Sequence, residues 1–143
     1  KHVVMFHAQE RLLNLNAPPK SLTTKDMFVP TCATCHMSGL NGQNFAFVGY
    51  LPQDAVERQT RIRELEALAL KTGQTQLFIE TPYRNAALLQ ALVQTLQHNT
   101  RLAVARGLTL ATSHVRSETV KAWRAKPQTA TDERLPAVFA IGR

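Results

Sequence analysis

Gln76-Leu77-Phe78-Ile79-Glu80-Thr81-Pro82-Tyr83-Arg84 decides the fold. Its first five residues form a short apolar run of strand length. Thr81-Pro82 then breaks the run, because proline lacks a backbone donor and holds the preceding residue extended. A helix follows to about Gln97, with Leu88, Leu89, Leu92, Val93 and Leu96 recurring on one side. Strand, turn and helix in succession make half of an α/β unit.

The same alternation continues in both directions. Upstream, residues 45–50 (Phe-Ala-Phe-Val-Gly-Tyr) read as a short buried strand closed by Leu51-Pro52. Asp54-x-x-Glu57 looks like a capping box. Ile62, Leu65, Leu68 and Ala69 give the helix one apolar face to about Lys71, and Gly73 stops it. Downstream, residues 101–105 read as a third strand and 108–111 as a candidate fourth. Ser117 is a candidate cap for a short helix carrying Val120 and Trp123. Residues 128–133 form a polar loop, and 136–141 a last strand. The expected fold class is α/β: a single layered mixed sheet with flanking helices over about 44–143.

Residues 1–43 break this pattern and read as a separate helical and loop arm. Val3, Val4, Phe6, Leu12, Leu13 and Leu15 suggest an amphipathic helix over about 1–15, ended by Asn16-Ala17-Pro18-Pro19. Pro30 then leads into Cys32-Ala33-Thr34-Cys35-His36, a C-x-x-C-H run. Such a cysteine pair can be a redox dithiol, half a zinc site or a haem anchor. No second C-x-x-C or H-x-x-x-H completes a zinc site. As a haem anchor, the two thiols add to the vinyl groups and His36 reaches the iron. His7 or His2 would then supply the distal imidazole.

Composition narrows the function classes. At 143 residues, with 44% hydrophobic content, the chain can build a core. No apolar run approaches the roughly 18 residues of a membrane span. The net charge is +7, of which +2 falls in residues 1–43 and +5 in 44–143. A basic surface of this kind suits a polyanion such as RNA, or is simply solvated. There is no P-loop, G-x-G-x-x-G or G-x-S-x-G. Glu80, Glu118, Asp132 and Glu133 are scattered, and His98 and His114 are isolated. In open α/β sheets ligands lie beyond the carboxyl ends of the strands. Those ends here are 50–52, 80–84 and 105–109.

Two family resemblances meet in the chain. Residues 47–52 (Phe-Val-Gly-Tyr-Leu-Pro), Arg61-x-x-Glu64-Leu65-Glu66, 78–84 (Phe-Ile-Glu-Thr-Pro-Tyr-Arg), Arg106-Gly107-Leu108-Thr109 and Leu135-Pro136-Ala137-Val138-Phe139 resemble the C-terminal half of the tetrapyrrole-methylase-like methyltransferases. The likeness runs over about 39–143, on the branch of the ribosomal RNA cytidine 2′-O-methyltransferase. It implies S-adenosylmethionine as cofactor, held between two α/β domains. By position, Pro82, Tyr83, Ala105, Gly107, Leu108 and Thr109 would line the adenosine side. Arg84 and Arg106 would face an anionic substrate such as RNA phosphate. The catalytic residues stay unknown. The family's N-terminal domain carries the cofactor loop, and residues 1–38 stand in its place here, so the chain alone is expected to be inactive.

Lys1-His2, Met5, Ala8, Glu10-Arg11-Leu12 and the run from Pro30 to Gly42 resemble a c-type haem segment of the multihaem hydroxylamine oxidoreductase family. That likeness implies haem c on Cys32 and Cys35, with His36 as iron ligand. Ser38-Gly39-Leu40-Asn41-Gly42 belongs to both resemblances, so the chain reads as a hybrid joined there. The implied partners are RNA or a complementary methyltransferase domain under the first reading, and a redox partner under the second. A homodimer is compatible with both, and so is an interaction domain without cofactor. The methyltransferase reading implies the cytoplasm; the haem reading implies the periplasm or another haem-attachment compartment.

Overall fold

In a computed structural model, residues 39–107, 111, 113–126 and 135–143 are described. Their strands are β1 (Phe45–Tyr50), β2 (Thr75–Glu80), β3 (Arg101–Arg106), β4 (His114–Thr119) and β5 (Ala137–Gly142). The helices are α1 (Ala55–Thr72), α2 (Asn85–Thr95) and α3 (Val120–Ala125), with a 3-10 turn at Pro82–Arg84. The strands form one mixed sheet in the order β1-β2-β5-β3-β4. β1 and β2 are parallel, and β5 is antiparallel to both β2 and β3. β4 is antiparallel to β3. So β1, β2 and β3 run one way, β4 and β5 the other. The expected α/β class holds.

The last strand occupies the middle of the sheet for a physical reason. Ala-Val-Phe-Ala-Ile-Gly is apolar throughout and buried at every position but Val138. A strand covered on both faces tolerates no polar alternation. Phe78 of β2 and Phe139 of β5 lie opposite each other, their rings stacked at 5.9 Å between centroids. With Leu102, Val104 and Ile141 they join Ile62, Leu65, Leu88, Leu92 and Trp123 in the main core. Trp123 donates its Nε1–H to Leu102 O at 2.9 Å. The opposite face carries a smaller cluster of Leu40, Leu77, Ala103 and Ala140. Leu40 presses so close to Gly142 that a Cβ there would meet its Cδ2 at 2.8 Å.

Local chemistry sets the helix ends. Asp54 caps α1, its Oδ1 accepting from Val56 N and Glu57 N at 3.0 Å each. Gly73 closes it, donating to Ala69 O at 2.9 Å. The buried stripe of α1 is Ile62, Leu65, Glu66 and Ala69, the i, i+3, i+4, i+7 set that a helix presents to one side. Leu68, expected on that face, is 42% exposed. Glu66 takes the buried place and accepts from Gln97 N at 2.8 Å and from the Thr100 hydroxyl.

Two expectations need correction, and a third falls mostly outside the described residues. α2 stops at Thr95 rather than near Gln97, because Leu96 turns extended at its C-cap. Arg124 takes Val93 O and Leu96 O at 2.8 and 2.9 Å, which satisfies carbonyls the helix end leaves open. Ser117 is not a helix cap: it lies inside β4, paired with Ala103. Thr119 caps α3 instead, accepting from Ala122 N at 3.4 Å. Of the candidate strand 108–111, only Ala111 is described, and it sits in a turn. Among the described residues the fourth strand in chain order is β4.

Residues 39–44 are tied to the sheet. Asn41 Oδ1 accepts from Gln43 N and Asn44 N, and its Nδ2 donates to Gly73 O at 3.1 Å. Thr75 donates its hydroxyl to Asn41 O at 3.0 Å and its N–H to Asn44 O at 3.0 Å. The arm helix over 1–15, Cys32, Cys35, His36, His7, His2 and the loop 128–133 lie outside the described residues.

Candidate functional site

The parallel course of β1, β2 and β3 brings their carboxyl ends to one edge. The register fixes this edge: Tyr50 pairs with Ile79, Glu80 with Ala137, Ala137 with Arg106, and Arg106 with His114. The starts of β4 and β5 therefore share the edge with Leu51-Pro52, with residues 81–84 and with Gly107.

Each segment of the edge is pinned from below. After β1, Leu51 is buried in the core, and Arg58 holds Pro52 O and Gln53 O at 3.0 and 2.9 Å. The register of β1 slips just before this end, at Gly49, whose φ of 74° only glycine adopts without strain. After β2, Pro82 opens the 3-10 turn and Arg84 N donates to Thr81 O at 2.9 Å. Tyr83 is left 70% exposed at the turn. The Arg84 guanidinium lies 5.2 Å from the Tyr83 ring centroid, within cation–π reach. After β3, Gly107 is buried with φ 56° and donates to Pro136 O at 3.1 Å. A Cβ there would be strained.

The interior of the edge is polar. Glu80 shares the face of Phe78, since strand side chains alternate, and is 6% exposed. Its Oε1 accepts from Thr81 N at 2.8 Å and from Thr81 Oγ1 at 3.3 Å. Asn85, first residue of α2, is 5% exposed and donates its Nδ2–H to Leu135 O at 3.1 Å. Arg106 stands on the face of Val104, across Ala137 from Glu80. Burial lowers the pKa of its guanidinium by desolvation.

Of the residues expected to line an adenosine, Pro82, Tyr83, Ala105 and Gly107 occupy this edge; Leu108 and Thr109 lie outside the described residues. Ala105 is 1% exposed, so its contribution is packing rather than open surface. Arg84 stands at the turn, whereas Arg106 is drawn partly into the sheet. His98 stands away from the edge, with Arg124 Nη1 at 3.0 Å from its Nδ1. His114 is exposed at the start of β4. Sequence reasoning placed Glu80 in the strand-end stretch 80–84 but foresaw neither its burial nor that of Asn85; the available signal was a carboxylate at the last position of an apolar strand, on the face that Phe78 buries. Among the described residues, no group of three or more His, Cys, Asp or Glu gathers in metal-binding geometry. No helix among them is long and apolar enough to cross a membrane.

No protein-family model matches the chain. Over 85 residues it is 35% identical to the ribosomal RNA small subunit methyltransferase I of Mesorhizobium japonicum. That match takes in 59% of this chain and 28% of the relative's length. Among solved structures, the methyltransferase CobJ aligns with a TM-score of 0.48 at 16% identity, over 78% of this chain and 46% of that one. The chain is thus similar in sequence to part of a methyltransferase, and spans under a third of that relative's length.

Proposed function

We propose that residues 44–143 act as the C-terminal subdomain of an S-adenosylmethionine-dependent methyltransferase with RNA or a tetrapyrrole-type molecule as substrate. The observation that carries this reading is the 35% identity over 85 residues to a protein named as a ribosomal RNA methyltransferase. The alignment of three strand carboxyl ends along one edge supports it, because ligands of α/β sheets bind there. The net charge of +5 over 44–143 favours RNA. The cytoplasm is the matching compartment.

The residues of the edge suit an adenosine. Tyr83 offers an exposed aromatic face for stacking. Gly107 lets a ligand approach the backbone closely; its N–H is already given to Pro136 O, so the contact there is van der Waals. When bound, S-adenosylmethionine supplies an electrophilic methyl group on sulfur. Pro82, Tyr83 and Gly107 would hold the nucleoside, and Arg84 would meet a phosphate. One wall of a cleft holds a ligand weakly. Activity therefore needs a complementary domain, on the same polypeptide or another.

The test is methyl transfer to small-subunit ribosomal RNA from labelled cofactor. The 143-residue chain alone should transfer none, and adding a cofactor-loop domain from a related methyltransferase should restore transfer. A dissociation constant for S-adenosylmethionine below about 1 μM with the chain alone, about −8 kcal/mol, would contradict the one-wall account. The haem-carrier alternative has the signature Cys32-Ala33-Thr34-Cys35-His36 behind it, whereas the matched proteins are methyltransferases; we do not adopt it. An acid-stable mass gain of one haem, lost in the Cys32→Ser/Cys35→Ser variant, would reinstate it.

A further inference from the structure

The basic excess of residues 44–143 is unevenly placed on the fold. Lys71, Arg101, Lys121, Arg124 and Arg143 gather at the edge opposite the strand carboxyl ends. There α1 leads into β2, β5 ends, β3 begins and β4 passes into α3. Arg101 opens β3 between Gly142 of β5 and Thr119 of β4. Arg143 follows Gly142 and donates from Nε to Leu70 O at 3.0 Å and from Nη2 to Lys71 O at 3.4 Å, which sets it against the end of α1. Lys121 N donates to His98 O at 3.1 Å, so α3 joins the same rim. Segments 67–79, 94–106, 119–126 and 140–143, which meet there, hold no Asp or Glu. Among the described residues, Arg61 and Arg116 find carboxylates in Glu64 and Glu118; the rim cations do not. Arg101, Arg124 and Arg143 lean on neutral carbonyls, which leave their charge uncancelled. The carboxylate beneath them, Glu66, is 4% exposed and occupied by Gln97 N and the Thr100 hydroxyl.

We propose that this rim is a phosphate-contact surface for a stem of the substrate RNA. Cations on adjacent strands, about 5 Å apart, match the closely spaced charges of a nucleic-acid backbone. Lys71 and Lys121 are exposed and form no ion pair among the described residues, so both can give their ammonium to phosphate. Gln97 and Asn99, exposed beside them, add amide donors for phosphate or a 2′-hydroxyl. The exposed rings of Tyr50 and Tyr83 belong to the carboxyl edge, so the rim holds backbone and reads no base. The rim likewise presents no exposed ring to insert into a bilayer. Strands of six residues hold the two edges about 20 Å apart. A single nucleotide at the carboxyl edge cannot reach the rim, whereas a helical stem can lie across both. The inference rests on the methyltransferase reading, which makes RNA the polyanion, and gives that RNA a second contact away from the cofactor wall.

The experiment measures fluorescence anisotropy of a labelled small-subunit ribosomal RNA stem-loop with the 143-residue chain over a series of potassium chloride concentrations. Lys71→Gln/Lys121→Gln removes two exposed rim charges. Arg61→Gln/Arg63→Gln removes the same net charge from α1, away from the rim, and is the control. The rim variant should bind about tenfold more weakly at low salt, with a salt dependence reduced by about two phosphate contacts. The control should stay within about twofold of the parent, because charges distant from the contact are screened. Trp123 fluorescence checks that both variants are folded. Equal weakening by both pairs, or a rim variant that binds like the parent, overturns the proposal. Equally tight binding to vesicles of equal parts phosphatidylserine and phosphatidylcholine also overturns it. Absence of RNA binding by the parent chain at low salt overturns it without any variant. If the proposal fails while S-adenosylhomocysteine still moves the Tyr83 and Gly107 amides in nuclear magnetic resonance, the methyltransferase reading survives. If the rim variant loses RNA as expected but S-adenosylhomocysteine moves neither amide, that reading falls alone.

Discussion

Glu66→Ala probes the hidden polar joint of the fold. Glu66 is 4% exposed on the inner stripe of α1. Its Oε1 receives Gln97 N at 2.8 Å and the hydroxyl of Thr100, itself 1% exposed. Both donors belong to the segment that turns from α2 into β3. A hydrogen bond to a charged group contributes about 1.5–3 kcal/mol, and two such bonds set an upper range of about 3–6 kcal/mol. Removing the carboxylate also removes its own burial cost, which offsets part of this. The expected net loss is about 2–4 kcal/mol. Glu66→Gln keeps an acceptor for both donors, so it should lose about 1 kcal/mol. Thr100→Val removes one partner, and a double-mutant cycle with Glu66→Ala should show coupling of about 1 kcal/mol or more. Urea unfolding is the assay. Trp123, the one tryptophan of the chain and 2% exposed, reports through its fluorescence. An alanine variant within about 0.5 kcal/mol of the parent, the size of an ordinary surface substitution, would refute the reasoning. So would strict additivity with Thr100→Val.

Leu92→Ala should cost about 2–5 kcal/mol in the same assay, since Leu92 is fully buried between α2 and the sheet. Arg124→Ala should cost about 1 kcal/mol by releasing the carbonyls of Val93 and Leu96. Arg124→Lys should recover little of it, because an ammonium lacks the fork that spans two acceptors. Tyr83→Ala should leave stability within about 0.5 kcal/mol, yet weaken S-adenosylhomocysteine by about 1–3 kcal/mol in a binding titration if the ring is the stacking surface.

The strands buried on both faces were legible because burial leaves an unbroken apolar run. Residues 77–79 and 137–141 show it, within β2 and β5. Residues 45–50 are apolar too, yet β1 is an edge strand with Phe47 and Tyr50 exposed, so its expected burial does not hold. β4 was not legible. His114-Val115-Arg116-Ser117-Glu118-Thr119 lies at the sheet edge, half-exposed along its length, so it has no need of apolar residues. Arg116 there spends its charge on Glu118 at 2.7 Å and its plane on the Trp123 ring at 3.8 Å. The insertion of β5 between β2 and β3 was equally hidden, since chain order says nothing of spatial order. Glu66 misled for another reason: a carboxylate on an apolar stripe reads as solvated until its two donors, some thirty residues away, are seen. The edge of strand ends could be read from the turn residues that follow each apolar run. The burial of Glu80 and Asn85 could not, because only the fold encloses a polar side chain at the end of a strand or the start of a helix.

The central claim is that the carboxyl edge of the sheet is one wall of a cofactor site. A resonance-assigned footprint of S-adenosylhomocysteine on the 143-residue chain tests it most directly. The account predicts weak binding, with a dissociation constant far above about 1 μM, and signal changes confined to the ends of β1, β2 and β3, including Tyr83 and Gly107. Changes centred on the opposite edge, around Thr75 and Arg101, would contradict it, as would unchanged spectra at millimolar ligand.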